Sequence, residues 1–348
     1  MREEGELIYE IAIMGRIAWN LHSLSNEGTV GNVTEPRSIR IINPNTREAT
    51  TTDGISGEML KHIHAEKMWE LENEKQNFCE ACKQLKPEKA DGVKSVKEKK
   101  KADEAVDEAL KCELCDIHGF LVQKPTVSRS STVEFGWALG IPQVIRDIHT
   151  HARHSVHEEL VMPEEEKEAG KWGDVKCSVK ECETDQSESK LYKIKGKWYC
   201  EDHIPERAVQ MLYHRPTRSG EYAIVSVFQP WRIGLNNVTI KYTNGINREN
   251  RYKLALKAYM AMFTRTEGAM TSTRLPHTTN FSGIIVIAKD NMPVPVISPL
   301  KENFIDEIKK ISENLKGKIE VIDFNSMSEF VEKLNGLVDK KPYSIKTE

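Results

Sequence analysis

Seven cysteines and one histidine stand at spacings that suit metal coordination. Cys79 and Cys82 form one C-x2-C pair, and Cys112 and Cys115 form another. Four thiolates are a ligand set that tetrahedral zinc prefers, so we predict a structural zinc site here. The alternative is two pairs of buried free thiols, which so polar a segment disfavours.

A second zinc site is predicted from Cys177-x4-Cys182 and Cys200-x2-His203. The spacing is less standard, but the two sites together use every cysteine in the chain. Neither ligand set leaves an open coordination position, so both ions are expected to support local folding. The histidines of 149–157 (HTHARHSVH) lack H-E-x-x-H spacing, which favours a polar groove or a subunit contact over a catalytic metal site.

The stretch 51–62 (TTDGISGEMLKH) is a candidate anion site. It follows an apolar strand pattern and opens a helical one, with Ser56 as a good N-cap and Gly57 allowing close backbone approach. A helix N-terminus offers free N–H groups and a partial positive charge, which suit a phosphate. An ordinary capped helix explains these residues equally well.

Charge is unevenly distributed along the chain. The formal net charge is −3, but residues 207–300 carry twelve Lys and Arg against four Asp and Glu. Residues 156–206 carry eight Lys and Arg against fourteen Asp and Glu. A basic core with acidic attachments is compatible with nucleic acid, although solvated surface charge competes as an explanation. No P-loop, G-x-G-x-x-G or nucleophile-elbow pattern indicates catalysis.

Hydrophobic periodicity indicates the elements that would position these residues. A strand within 6–22 precedes a polar, turn-rich loop over 23–53 and a helix over 56–74. Later segments predict strands at 126–141, 222–228 and 281–288, with a helix at 251–263. We therefore predict an α+β fold in the order β-α-β-β-α-β, a modified ferredoxin-like or RNA-recognition-motif fold.

Two cysteine-rich zinc-binding insertions interrupt this predicted core. The core comprises 1–76, 119–155 and 207–300, the insertions are 77–118 and 156–206, and 301–348 is a C-terminal α-β-α extension. The Lys- and Glu-rich stretch between the first two cysteine pairs is predicted to be an exposed helix.

Five segments resemble the CRISPR-associated autoregulator (DevR) family. They are WNLHSLSNEGTVGNVTEPRS, TTDGISGEMLKHIHAE, VSRSSTVEFGWALGIP, EYAIVSVFQPWRIGLN and TSTRLPH, in that order. The resemblance covers about 6–300 apart from the insertions, and is strongest to the type I-A branch. It implies a non-catalytic backbone subunit of Cascade, a surveillance complex. Copies of the subunit would form a helical filament on one CRISPR RNA, beside other Cascade subunits, and present the guide for pairing with target DNA.

The resemblance also implies which residues contact the RNA. Motif positions carried over onto this chain are Ser56, Gly57, Lys61, His62, Arg129, Ser130, Arg232 and Arg274, with Asn20 and His22 as weaker candidates. The insertions have no counterpart that maps residue by residue.

Two other functions remain open. Related type III subunits cleave target RNA with an acidic residue in the loop after the first strand, where residues 27–37 of this chain offer Glu35 but no matching Asp. A zinc-dependent DNA-binding regulator is the other alternative. The acidic start and the lack of a long apolar run predict a cytoplasmic protein without membrane contact.

Overall fold

The computed structural model of the protein describes residues 6–31, 33–154, 158–159, 176–185, 190–194, 196–204, 210–268 and 270–346. Its helices are α1 (Gly57–Leu71), α2 (Glu80–Lys83), α3 (Lys94–Lys97), α4 (Ala102–Ala109), α5 (Glu113–His118), α6 (Arg248–Thr264), α7 (Phe304–Asn314) and α8 (Met327–Asn335). Its strands are β1 (Leu7–Ile8), β2 (Glu10–His22), β3 (Asn26–Val30), β4 (Val33–Pro36), β5 (Ser38–Ile42), β6 (Ala49–Ile55), β7 (Phe120–Gln123), β8 (Thr126–Arg129), β9 (Val133–Phe135), β10 (Ala138–Gly140), β11 (Ile145–His154), β12 (Glu158–Glu159), β13 (Leu191–Ile194), β14 (Lys197–Cys200), β15 (Gln210–Phe228), β16 (Leu235–Asn236), β17 (Lys241–Tyr242), β18 (His277–Ala288), β19 (Ile319–Phe324) and β20 (Lys341–Pro342).

An antiparallel sheet organises the first compact unit, which comprises Met1–Glu27, Pro36–Asp147 and Thr217–Glu348. Strand β2 lies between β18 and β15, and β9 and β10 pair with the other side of β15. The sheet continues through β19 beyond β18, and through β6 and β5 beyond β10. Helix α1 follows β2 in the chain, and α6 connects β15 to β18.

Strand β2 divides the apolar core into two clusters. Ile11, Ile13 and Ile17 belong to the cluster that includes residues of α1 and α6. Ala12 and Met14 belong to a second cluster with residues of α7. Because side chains alternate across a strand, this strand is covered on both faces.

Strands and helices of the predicted types occur in the chain as β2, α1, β9–β10, β15, α6 and β18, with further strands and short helices between them. The C-terminal extension forms α7, β19 and α8, with β19 antiparallel to β18. The prediction of a fold that mixes helices with strands is confirmed.

Three local predictions were wrong. The segment 23–53 is not a loop, because it contains β3, β4, β5 and part of β6. Its NPNT sequence is a hairpin turn in which Asn43 Oδ1 accepts hydrogen bonds from the backbone N–H groups of Asn45 and Thr46. The stretch between the C-x2-C pairs is not one exposed helix but several short helices that bury Val96 and Val106. Strand β15 begins twelve residues before the predicted 222–228.

The second compact unit comprises Gly28–Glu35 and Ile148–Pro216. Within it, β12, β13 and β14 form a small antiparallel sheet, and β4 pairs with β15 at Val33 and His214. Much of the predicted insertion 156–206 lies outside the described residues, as does His157. Among the residues that are described, no helix is long and apolar enough to cross a membrane.

Candidate functional site

The stretch 51–62 contains the end of β6, the N-cap residue Ser56 and the first six residues of α1. Ser56 is the N-cap, and its Oγ accepts a hydrogen bond from the Met59 backbone N–H at 3.2 Å. A Cβ on Gly57 would lie 2.2 Å from the carbonyl oxygen of Phe135, so glycine is required where α1 meets β9. Both Ser56 and Gly57 are buried. Their observed contacts position α1 against the sheet.

Three basic side chains lie near one another beside α1, and we call Lys61, His62 and Lys89 the α1 basic surface. Burial lowers the pKa of the half-buried Lys61, and the ammonium group of Lys89 adds to this effect. The His62 side chain is 58% exposed, and its Nε2 lies 3.1 Å from Glu66 Oε1. This hydrogen bond to Glu66 raises the pKa of His62. Lys61 and Lys89 therefore place positive charge near each other, whereas Glu66 offsets the charge of a protonated His62.

Arg129 is buried, although we expected from the sequence that it would reach the surface and contact RNA. Its guanidinium is 1% exposed and pairs with the fully buried Asp116, with Nη2 2.6 Å from Oδ1. Its nitrogens also donate to the backbone carbonyls of Asp116, Arg232 and Leu235. Because each guanidinium nitrogen is bonded inside the protein and the side chain is 1% exposed, Arg129 is not accessible to a phosphate in this structure.

Asp116 is a buried junction that sequence reasoning missed. Its Oδ2 lies 2.6 Å from Arg251 Nη1 of α6, and both carboxylate oxygens accept the Gly234 backbone N–H. The carboxylate thus joins α5 to β8, to the loop after the 3-10 turn Pro230–Arg232, and to α6. Two of its partners, Gly234 and Arg251, lie more than a hundred residues away in the chain, so no local sequence pattern indicates them.

Arg232 and Ser130 meet next to this junction. Arg232 is half-buried and donates to the carbonyl oxygens of Ser131 and Ser130, each at 2.8 Å, and to Gln229 Oε1 at 2.6 Å. Ser130 is exposed. Arg274, the last predicted basic contact, is only 8% exposed.

Asn20 and His22 end strand β2 in different environments. Asn20 is half-buried, whereas His22 is fully buried with its Nε2 2.8 Å from the Tyr222 hydroxyl oxygen. Tyr222 in turn donates to Asp53 Oδ2, and Arg218 Nη1 bonds to both oxygens of that carboxylate. Burial holds the pKa of His22 well below its ordinary value. His22 is therefore neutral and part of an internal network.

The four cysteines of the first predicted metal site converge. The Sγ atoms of Cys79, Cys82, Cys112 and Cys115 all lie within 4.8 Å of one another. Cys115 Sγ is 3.7 Å from Cys82 Sγ and 3.9 Å from Cys79 Sγ. Zn–S bonds of about 2.3 Å at tetrahedral angles require S···S separations of about 3.8 Å, so this donor set fits a four-coordinate metal ion.

The second predicted ligand set also converges. The Sγ atoms of Cys177, Cys182 and Cys200 and a ring nitrogen of His203 lie within 4.8 Å of one another. Cys182 Sγ is 3.8 Å from Cys200 Sγ, and His203 Nδ1 is 3.0 Å from Cys200 Sγ. Three sulfurs and one imidazole nitrogen form a closed set that could hold a metal ion.

A buried histidine pair lies between α1 and α5. His64 Nε2 is 3.0 Å from the carbonyl oxygen of Ala255, which only accepts, so this nitrogen carries the proton. His64 Nδ1 then accepts from His118 Nε2 at 3.1 Å. Burial lowers the pKa of His64 to about 3 and that of His118 well below its ordinary value. Both rings are therefore neutral at physiological pH.

Comparisons with known proteins show similarity along most of the chain. The family model described as "CRISPR-associated negative auto-regulator DevR/Csa2" matches residues 13–172 and 200–309. A protein from Methanocaldococcus jannaschii, described as "CRISPR-associated protein Cas7/Cst2/DevR", is 24% identical over 346 residues, covering 94% of this chain and 96% of that relative.

Solved structures show a weaker likeness. A chain from a "CRISPR RNA-guided surveillance complex" gives a TM-score of 0.42 at 9% identity and covers 97% of this chain and 94% of that one. Thermofilum pendens Csc2 gives a TM-score of 0.38 at 8% identity, covering 93% of this chain and 80% of that one. At these scores the structural likeness adds nothing to the sequence match.

Proposed function

Because this chain belongs to the CRISPR-associated negative auto-regulator DevR/Csa2 family, we propose that it is a guide-RNA-binding backbone subunit of a type I Cascade complex, of subtype I-A. In this proposal several copies form a helical filament on one CRISPR RNA, next to other subunits. The filament leaves the bases free to pair with target DNA, so that base pairing reads the sequence. The family match, which spans both halves of the sheet core, carries the proposal.

We also propose that the core is a modified ferredoxin-like fold of the RNA-recognition type. Taken in chain order, β2, β9–β10, β15 and β18 are the four strands of the β-α-β-β-α-β unit. Their spatial order is fourth, first, third and second, and all neighbours are antiparallel. The observed pairing supports this assignment.

The proposed RNA-binding residues are those that remain accessible. They are exposed or half-buried polar and basic side chains, namely Asn20, Lys61, His62, Ser130 and Arg232. Positive groups along the RNA would neutralise phosphates without reading bases. The buried members of the predicted set have positioning roles in this proposal, namely His22, Ser56, Gly57, Arg129 and Arg274.

Zinc is the ion we propose for both cysteine-rich sites. Cys79, Cys82, Cys112 and Cys115 would hold one ion, and Cys177, Cys182, Cys200 and His203 the other. Bound zinc would supply cross-links between short segments, because neither set leaves an open coordination position. The converging sulfurs support this role.

Purification of the complex from its native source, followed by sequencing of co-purifying small RNA, tests the function. We expect RNA with repeat-derived ends. Preferential binding of one DNA duplex, with no preference for repeat-derived RNA, would instead favour a transcriptional regulator.

Incubation of the assembled complex with guide-matched RNA and Mg²⁺ tests the non-catalytic assignment. We expect the RNA to remain intact. Cleavage that is lost on replacing Glu35, which is exposed on β4, would establish an RNase.

A further inference from the structure

An aromatic side chain lies in solvent between β9 and β10. Trp137 is 40% exposed, whereas Phe135 and Ala138, on either side of it in the chain, pack in the main apolar cluster. Single exposed apolar residues are common on protein surfaces, so the surroundings of Trp137 decide whether it binds a ligand. Those surroundings contain a guanidinium group and the proposed phosphate contacts.

The guanidinium group belongs to Arg37, which lies between β4 and β5. Its Cζ is 5.6 Å from the centre of the Trp137 ring, within the range of a cation–π contact. The backbone carbonyl of Arg37 accepts the Gly54 N–H at 3.1 Å, and Gly54 pairs with Leu139 of β10. Because Arg37 is tied through β6 to the strand that Trp137 precedes, the backbone holds the two side chains together.

Arg37 also has a donor that the protein does not use. The side chain is half-buried, and its Nε is buried without a hydrogen-bond partner. A buried donor without a partner costs free energy unless a bound group accepts a hydrogen bond from it. A phosphate oxygen or the edge of a base next to Trp137 would supply such an acceptor.

The proposed phosphate contacts lie close to the same strand end. Arg232 Nη1 is 3.9 Å from Oε1 of Glu134 in β9. Burial lowers the pKa of Lys61, and the nearby carboxylate of Glu134 opposes this effect. Trp137 is three residues after Glu134, so an RNA strand that contacts Lys61 and Arg232 passes beside the exposed indole.

Given the proposed role as a guide-RNA-binding subunit, on which this step rests, we propose that Trp137 is a stacking platform for an unpaired RNA base. Arg37 lies against the same ring and supports its position. Stacking uses the flat face of a base and leaves its pairing edge free. The contact is therefore independent of sequence and compatible with pairing between guide and target.

Binding of two strands to the full-length protein tests this platform. One strand is an oligouridine RNA, and the other has the same ribose-phosphate backbone and length but no bases. Trp137→Ala should weaken binding of the RNA about tenfold in fluorescence anisotropy and leave binding of the abasic strand unchanged. Trp137→Phe should retain most of the affinity, since a phenyl ring also stacks. Lys61→Ala should weaken binding of both strands, because it removes a phosphate contact.

Leu121→Ala, which removes an exposed apolar side chain from β7, is the matched control and should bind both strands as the wild type does. Wild-type affinity of Trp137→Ala for the RNA would overturn the stacking role and leave the proposed function intact. An equal loss of affinity for both strands would also overturn it, and a smaller species in sedimentation would then assign Trp137 to a contact between copies of the chain. A wild-type protein that binds neither strand would overturn the proposed function together with the platform.

Discussion

Asp116 lies at a cluster of buried charges, because two arginine side chains pair with its carboxylate inside the protein. One fully buried carboxylate accepts from Arg129 and Arg251 and from the Gly234 backbone N–H. Truncating one partner of such a pair leaves buried charge and carbonyl oxygens uncompensated. The cost then exceeds the net contribution of the intact pair.

Arg129→Ala should therefore act on stability. We expect a loss of about 3–5 kcal/mol in the free energy of unfolding, measured by urea denaturation. Arg232→Ala, which removes a half-buried guanidinium, serves as the comparison and should cost less. Wild-type stability in Arg129→Ala with lost RNA binding would contradict the structural role.

Lys61→Ala and Arg232→Ala should act on RNA binding. Each removes one proposed charged contact, and we expect each to weaken binding of repeat-derived RNA by about 1–3 kcal/mol in fluorescence anisotropy. Lys310→Ala, which removes an exposed lysine of α7, is the matched control and should bind as the wild type does. Unchanged affinity in both test variants would refute the proposed surface.

His64 should make the protein sensitive to acid. Its pKa is about 3 in the folded protein and about 6.5 in an unfolded chain, so below pH 6.5 the unfolded state binds the extra proton. Stability is highest above pH 6.5 and is lost as the pH falls toward 3. Between pH 7 and pH 5, His64 alone should cost roughly 2 kcal/mol.

His64→Gln is the variant that isolates this effect, since glutamine preserves a donor and an acceptor but does not titrate. Urea denaturation at pH 7 and pH 5 should show a smaller acid loss in the variant. Glu10, whose pKa is raised to about 7 by burial, has the opposite slope, but it is common to both proteins. Equal acid losses in the two proteins would exclude His64 as the source.

At the scale of elements, the sequence predicted those with a strong apolar period. Strand β2, helix α6 and the C-terminal α7–β19–α8 were predicted because their apolar residues recur at strand or helix spacing. The hairpin of β5 and β6 was missed, since ATTTDGI alternates little in polarity and its pairing with β10 is a tertiary contact. Likewise, β15 extends through RPTRSGE, where pairing with β2 compensates for weak propensity.

The roles of individual residues were likewise predictable only where local sequence determines them. The two groups of cysteines and histidine that could hold a metal ion were predictable from side-chain type and spacing. The burial of Arg129 was not predictable, because the residue type alone does not show whether an arginine pairs with a phosphate or with Asp116. Only the packing of α5 beside β8 shows that Arg129 is buried against Asp116.

The two proposed metal sites should differ in their effect on the stability of the core. Cys82, Cys112 and Cys115 belong to the main apolar cluster, and α5 also carries Asp116. Cys115→Ser should therefore remove one of about two zinc ions per chain and lower the main melting temperature markedly. Zinc analysis and differential scanning calorimetry measure both effects.

Cys200→Ser is the matched variant for the second site. Cys200 packs in a small separate cluster with Cys177 and Leu191. We expect it to lose one zinc ion while the main transition stays near the wild-type temperature. A wild-type zinc content in either variant would contradict the corresponding site.

For the whole molecule, net charge and local charge predict opposite responses to salt. If the net charge of −3 dominated, the protein as a whole would repel RNA, and added salt would raise the affinity for RNA by screening this repulsion. Contacts by Lys61, His62 and Arg232 would instead release counterions, and affinity would fall with salt.

For single-stranded RNA and three such contacts, the slope of the logarithm of affinity against the logarithm of salt concentration should be about −2. This slope corresponds to roughly a twentyfold loss of affinity between about 50 and 200 mM salt. Lys61→Ala should reduce that slope by about 0.7, whereas Lys310→Ala should leave it unchanged. Affinity that is flat or rises with salt would show that no phosphate contacts of this kind form.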